Sequence, residues 1–120
     1  MISPRLRPKI VASFTNKVQS SCGDIYITIG FDEQGIFEVI THFGKTGNCK
    51  ASLLEAISRL ISLAFQCDIE PEEIIRRVKG IRCNSNLSCV DAIVKTIQSC
   101  LQMLETSENF EGSNFSQVIR

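Results

Sequence analysis

The chain has 120 residues, and its thirteen lysines and arginines balance thirteen aspartates and glutamates. A domain of this size buries a modest core but cannot enclose the large barrel that a multi-subdomain enzyme needs. With no net field to draw the chain onto a phosphate backbone or an acidic bilayer, neither nucleic acid nor membrane is an expected partner.

Residues 1–8 carry Pro4 and Pro8 and read as an extended N-terminal arm. Its basic residues precede no apolar run long enough for a signal peptide, and no later stretch is long enough to span a bilayer, so a cytoplasmic location is expected. From Lys9 to Gln19, "KIVASFTNKVQ" is rich in β-branched residues in loose alternation, which predicts an edge strand. "SSCG" is a turn. In "DIYITIGFD" the alternation is strict, with Ile25, Ile27, Ile29 and Phe31 on one side. "DEQG" breaks that strand. "IFEVITHF" resumes with Phe37, Val39, Thr41 and Phe43 on one face and Glu38 and His42 on the other, giving an antiparallel three-stranded meander.

After Gly47 the period becomes helical. Leu53, Leu54, Ile57, Leu60, Ile61 and Ala64 predict a helix with its apolar stripe on the sheet, and Glu55 and Arg59 form an i,i+4 pair on the far side. "IEPEEIIRRVKG" predicts a short second helix with Pro71 in its first turn, Glu72 and Glu73 at its positive end, Arg76, Arg77 and Lys79 at its negative end, and Gly80 as terminator. A third helix starts at "SCVD", where Ser88 and Asp91 match a capping box. Its predicted buried stripe is Val90, Ile93, Val94, Ile97, Leu101 and Leu104. From Thr106 the sequence is polar and reads as a tail. The expected class is therefore α+β: a three-stranded antiparallel β-meander followed by three helices packed on one face, with an arm over 1–8, a domain over 9–105 and a tail over 106–120.

Six cysteines in so short a chain would suggest disulfides in a secreted protein, but in a reducing compartment they point to metal, redox chemistry or core use. Cys100 lies on the apolar stripe of the third helix and Cys67 at the end of the first, positions typical of small buried residues. Cys22, Cys49, Cys83 and Cys89 all fall in connections, where thiolates from distant segments can converge on a soft cation such as zinc. Structural zinc ligands usually come as pairs with about two to four residues between them. The closest pair here, Cys83 and Cys89, has five residues between, which leaves reduced thiols packed between loops as the alternative. A Cys83–Cys89 redox pair is a third reading. Cys89 would be its reactive member, because the first turn of a helix favours thiolate.

"FGKTGNCKAS" resembles a phosphate loop only in part. The full pattern needs a glycine at position 39, which is Val39. Gly44, Lys45, Thr46, Gly47 and Asn48, with the N–H groups of the following helix, remain a candidate cradle for a nucleotide-like phosphorylated ligand. His42, the only histidine, shares a face with Glu38, a weak acid–base pairing. "RRVKGIR" clusters Arg76, Arg77, Lys79 and Arg82 but has no interleaved aromatics, as expected of a charged helix end rather than a nucleic-acid surface.

The ordered set "SSCGDIYITIGFDEQGIFEVITHFGKTGNCKASLLEAISRLISLAF", "EPEEIIRRVKGIRC" and "SCVDAI" resembles the TSCPD domain. That domain is named for its Thr-Ser-Cys-Pro-Asp motif and is found near the C-terminus of vitamin B12-dependent, class II ribonucleotide reductases and as small free-standing proteins. The similarity runs from about Arg7 to about Leu104. The family's cysteines match Cys22, Cys49, Cys83 and Cys89. Val90 stands where the family has proline and Leu87 where it has threonine, and the connection between Cys83 and Cys89 is shorter than in many reductases. Ser88 and Asp91 remain to start the helix.

Family members are often labelled ribonucleoside-diphosphate reductase, but that reaction needs a radical cofactor and an enclosed thiyl cysteine that a chain of this size cannot house. The resemblance implies an accessory or binding module bearing on deoxyribonucleotide synthesis, not catalytic alone, its cysteine cluster a candidate zinc site and a reductase its expected partner. Two alternatives stand beside it: a dithiol shuttle through Cys83 and Cys89 that serves a reductase, and a binder that sequesters a nucleotide-like ligand. The open edge of the first strand adds homo-oligomerisation to the expectations.

Overall fold

The computed structural model describes residues 3–20, 23–44, 49–83 and 86–109. Three strands, β1 (Ala12–Ser20), β2 (Gly23–Asp32) and β3 (Gly35–Phe43), form an antiparallel sheet in the order β1-β2-β3. Helices α1 (Cys49–Gln66) and α2 (Pro71–Val78) follow, then a small hairpin of β4 (Arg82–Cys83) and β5 (Asn86–Leu87), then α3 (Cys89–Asn109). The α+β meander with three helices is the architecture the periodicities predict. The β4–β5 hairpin is additional, since two residues per strand are too few to show alternation.

The core follows the alternation of β2. Ile25, Ile27, Ile29 and Phe31 are buried, and their partners across the pleat, Val18, Phe14 and Ala12 on β1 and Phe43, Val39 and Ile36 on β3, share that face. A bulge between Gly30 and Phe31 shifts the β2–β3 register, so Ile36 and Phe37 are both buried although adjacent. The helices close this face, and α3 lies deepest, with Ile93, Val94, Thr96, Ile97 and Cys100 almost fully enclosed.

The opposite face is open. Thr15 and Thr28 bond across the strands at 2.9 Å, and Lys17 reaches Asp24 at 3.7 Å and the Tyr26 ring at 5.8 Å. The N-terminal arm is pinned over its far end. Arg5 bonds Asp32 and Gln34 and donates its backbone N–H to the Gln66 carbonyl, while Arg7 bonds Glu38 at 2.7 Å. Gly30 makes that crossing possible. A Cβ there would stand 3.2 Å from a Val11 methyl and 2.9 Å from a Glu38 carboxylate oxygen. Strand β1 begins at Ala12, three residues later than predicted, because Lys9–Val11 belong to the arm.

Helix α2 ends as its sequence demands. Pro71 opens it, Arg76 and Arg77 bond Glu73 and hold that carboxyl below the usual carboxylate range, and Gly80 turns the chain with φ +80°. Helix α3 runs on to Asn109, past the predicted start of the tail at Thr106, whose hydroxyl returns to the Gln102 carbonyl. Residues 110–120 lie outside the described residues.

Helix α1 departs most from expectation. Its buried residues are Leu54, Ser58, Ile61 and Phe65, while Leu53 and Leu60 are 64 % and 66 % exposed and Leu63 is 46 % exposed. The physical reason is its position at the edge of β3, rather than flat on the sheet. The Ser62 hydroxyl accepts from the Val39 N–H at 2.8 Å and donates to the Val39 carbonyl at 3.0 Å; Gln66 donates to the Phe37 carbonyl, and the Ser58 and Thr41 hydroxyls are 2.8 Å apart. A polar stripe at i, i+4, i+8 thus replaces the missing fourth strand. With Ser58 and Ser62 turned to the sheet, the leucines at 53 and 60 fall on the far flank. Ser62→Ala leaves two buried edge groups of β3 unpaired and is expected to cost about 1–3 kcal/mol, measured by urea unfolding; a loss below about 0.5 kcal/mol, the range of an inert surface change, would refute the edge-capping role.

Candidate functional site

The residues around "GIRCNSNLSCVD" are organised by hydrogen bonds that local periodicity does not reveal. The Ser88 hydroxyl caps α3 by accepting the Asp91 N–H at 3.2 Å, and the Ser88 N–H donates to the Ile81 carbonyl at 2.9 Å, closing the β4–β5 hairpin. Only half of the predicted capping box therefore forms. The Asp91 carboxylate does not return to Ser88. Its Oδ1 accepts the Gly80 N–H at 2.6 Å, eleven residues back, and its Oδ2 faces Lys95 Nζ at 3.6 Å. A buried carboxylate, 2 % exposed, thus ties the end of α2 to the start of α3 and fixes the hairpin between them. Val90, which stands where the family has proline, lies in this first helical turn, where its N–H has no intrahelical acceptor to lose.

Cys89 is the first residue of α3 and is 8 % exposed, with its sulfur 3.7 Å from the Ser20 hydroxyl at the end of β1. The start of α3 therefore sits against the β1–β2 hairpin. A groove of about 290 Å³ runs beside it, lined by Asn16, Val18 and Ser20 from β1 and by Leu87, Asp91 and Lys95 from the α3 side. The C-terminal end of β3 is at the same end of the sheet, where the Gly44 N–H donates to the Asp24 carbonyl at 3.1 Å.

Of the four cysteines selected from the sequence, Cys22 lies outside the described residues. Cys49 is exposed at the start of α1, Cys83 is half-buried in β4 and Cys89 is buried. Among the described residues no three His, Cys, Asp or Glu side chains converge in a group able to hold a metal ion. The burial of Cys89 also shields the thiol that a shuttle would expose, since exchange needs access to the sulfur.

Lys45, Thr46, Gly47 and Asn48 of the candidate phosphate cradle lie outside the described residues; Gly44 is exposed. Glu38 and His42 do not pair. Glu38 is engaged by Arg7, and in register they stand opposite Gly30 and Tyr26, four residues apart along one strand. Cys100 is a core residue, as its place on the apolar stripe predicts. Burial pushes its thiol up to about 11, so it stays protonated at neutral pH.

Sequence reading missed the groove and the reach of Asp91 to Gly80. The available signal was an acidic residue in the first turn of α3, but it equally fits an ordinary cap. No helix among the described residues is long and apolar enough to cross a membrane.

Together these features define a small α+β module in which the end of β1, the end of β3 and the start of α3 lie at one end of the sheet. The TSCPD domain family model matches residues 2–101, and the chain belongs to that family, a module associated with ribonucleotide reductases. No curated protein matches the chain, nor does any solved structure.

Loss of the clamp has a measurable cost. Asp91→Ala removes the charged acceptor of the Gly80 N–H and should destabilise the fold by about 1.5–3 kcal/mol, with Asp91→Asn losing less because it keeps an acceptor oxygen. Chemical denaturation with both variants at wild-type stability would show that the clamp is not needed.

Proposed function

We propose that this chain is a non-catalytic accessory module that acts on a ribonucleotide reductase in trans and docks through the outer flank of α1. The observation that carries the reading is the exposure of Leu53, Leu60 and Leu63 on a helix whose opposite side is fully engaged with β3. Apolar side chains left open in a row and rimmed by charge, here the Glu55–Arg59 pair at 3.0 Å, are a common form of protein-docking surface. The family's association with reductases supplies the class of partner. A structural role for part of the motif supports the reading: Cys89 and Cys100 are buried, and Asp91 is held by Gly80 and Lys95.

The test is calorimetric titration of the purified chain into a class II reductase subunit that lacks its own copy of this domain, with deoxynucleotide formation followed in parallel. Saturable binding is expected, and Leu60→Asp, a change on an exposed flank that leaves the core intact, should weaken it by about tenfold or more for an interface centre. Equal affinity for the variant and the wild type would place docking elsewhere, and no binding at all would end the reading.

Zinc belongs to the same proposal through the four family cysteines, Cys22, Cys49, Cys83 and Cys89. Such a site would need Cys49, Cys83 and Cys89, which form no ligand group among the described residues, to draw together with Cys22 as the ion binds. Native mass spectrometry should show one zinc ion on the wild type and none on Cys22→Ser. A metal-free wild type with freely titrating thiols would remove zinc while leaving the docking test intact.

A further inference from the structure

The two edges of the sheet are treated differently. The outer edge of β3 is capped by Ser62 and Gln66 of α1, whereas β1 has β2 on one side and, among the described residues, no strand on the other. Strand β1 also lacks the usual devices that keep an edge from pairing. It is nine residues long, contains no proline, pairs with β2 without a bulge, and its one charge, Lys17, is drawn over the sheet toward Tyr26 and Asp24.

We propose that β1 is a homodimer interface, at which two copies pair antiparallel through their β1 edges into a continuous six-stranded sheet. This reading is independent of the reductase proposal. The occupant is identified by the strand's own pattern. A two-fold axis at Asn16, the middle of Ala12–Ser20, is the one register in which all nine residues are paired. It sets Phe14 opposite Val18 of the second copy on the inner face and Thr15 opposite Lys17 of the second copy on the outer face. Ala12 then faces Ser20 of the second copy, and Asn16 faces its own counterpart. Moving the axis to Lys17 would shorten the ladder and bring like charges together, which is unfavourable. An axis at Asn16 keeps them apart.

The inner face of β1 explains where the second copy's side chains go. Ala12, Phe14, Asn16, Val18 and Ser20 are only half-buried, although Phe31, Ile29, Ile27 and Ile25, which stand opposite the first four on β2, are sealed. Beside them runs the groove of about 290 Å³ between β1 and the start of α3, with Leu87, 41 % exposed, on its rim. A strand added to the β1 edge turns every second side chain to the inner face, where that groove borders the Asn16–Ser20 half of β1. Phe14 of the second copy, set opposite Val18, is the large apolar residue that falls there, while Val18 of the second copy covers Phe14 beyond the groove. The pairing therefore completes the backbone ladder and covers the half-buried face of β1 together.

Thr15 gives a test with opposite signs. It is exposed on the outer face, and both substitutions lose the same hydrogen bond to Thr28. Thr15→Lys faces Lys17 of the second copy twice by symmetry and should raise the dimer dissociation constant by roughly five- to tenfold; Thr15→Glu, facing the same ammonium, should lower it by a similar factor. Sedimentation velocity on the full chain over a concentration series reads both. A monomer at every concentration overturns the proposal, and so does a dimer indifferent to the two charges. Hydrogen exchange on the unmodified chain keeps the question answerable if a variant fails to fold. Amides on the outer edge of β1 should slow as protein concentration rises, and exchange independent of concentration overturns the interface.

Discussion

The Ser62 hydroxyl holds both backbone groups of Val39, at 2.8 and 3.0 Å, and this edge contact sets the layout of the module. A three-stranded sheet has two edges, each presenting N–H and C=O groups that need partners. The chain spends its longest early helix on one of them. To do so it places Ser58, Ser62 and Gln66 along one stripe of α1, and the price is that an apolar-rich helix cannot bury all its leucines. The exposure of Leu53 and Leu60 is thus a direct consequence of using polar groups to close β3.

The same constraint explains the rest of the arrangement. With α1 committed to the β3 edge, closure of the inner face falls mainly to α3, whose buried surface is correspondingly wide: Ala92, Ile93, Val94, Thr96, Ile97 and Cys100 are all enclosed. A helix buried that fully must enter at a fixed angle. The Asp91–Gly80 bond supplies the fixing, because a carboxylate in the first turn grips the backbone at the end of the preceding helix. Ser88 contributes from the other direction through Ile81. The motif that reads as reactive chemistry, a cysteine at a helix start, is in this fold the junction where α2, the small hairpin, α3 and the end of β1 meet.

Local rules made much of this legible. The strict alternation of Ile25 to Phe31 fixes the buried face of β2, and Pro71, the glutamates, the arginines and Gly80 mark both ends of α2, because these signals act within a few residues of their effects. What was not legible depends on distant partners. The spacing of Leu53 and Leu60 shows a helix but not whether it covers the face or the edge of a sheet. Asp91 is indistinguishable from a capping acid until Gly80, eleven residues earlier, is folded against it. At the candidate site, the burial of Cys89 beside Ser20 is a tertiary fact of the same kind. By contrast, the family's cysteine pattern could be read from the chain, but Cys22 and Lys45–Asn48 lie outside the described residues.

Strand order puts the α1 flank and the β1 edge at opposite sides of the sheet, and adjacent strands are spaced by about 4.8 Å. The two surfaces therefore do not compete for the same space. A pairing through β1 extends the sheet away from α1, leaving one α1 flank at each far end of the six-stranded layer. Two identical leucine rows then face outward, related by a two-fold axis, as a symmetric partner would require for engaging both at once. Closing one edge internally and leaving the other for a second copy is thus one solution to two problems: it satisfies the backbone of a small sheet and makes a small module bivalent.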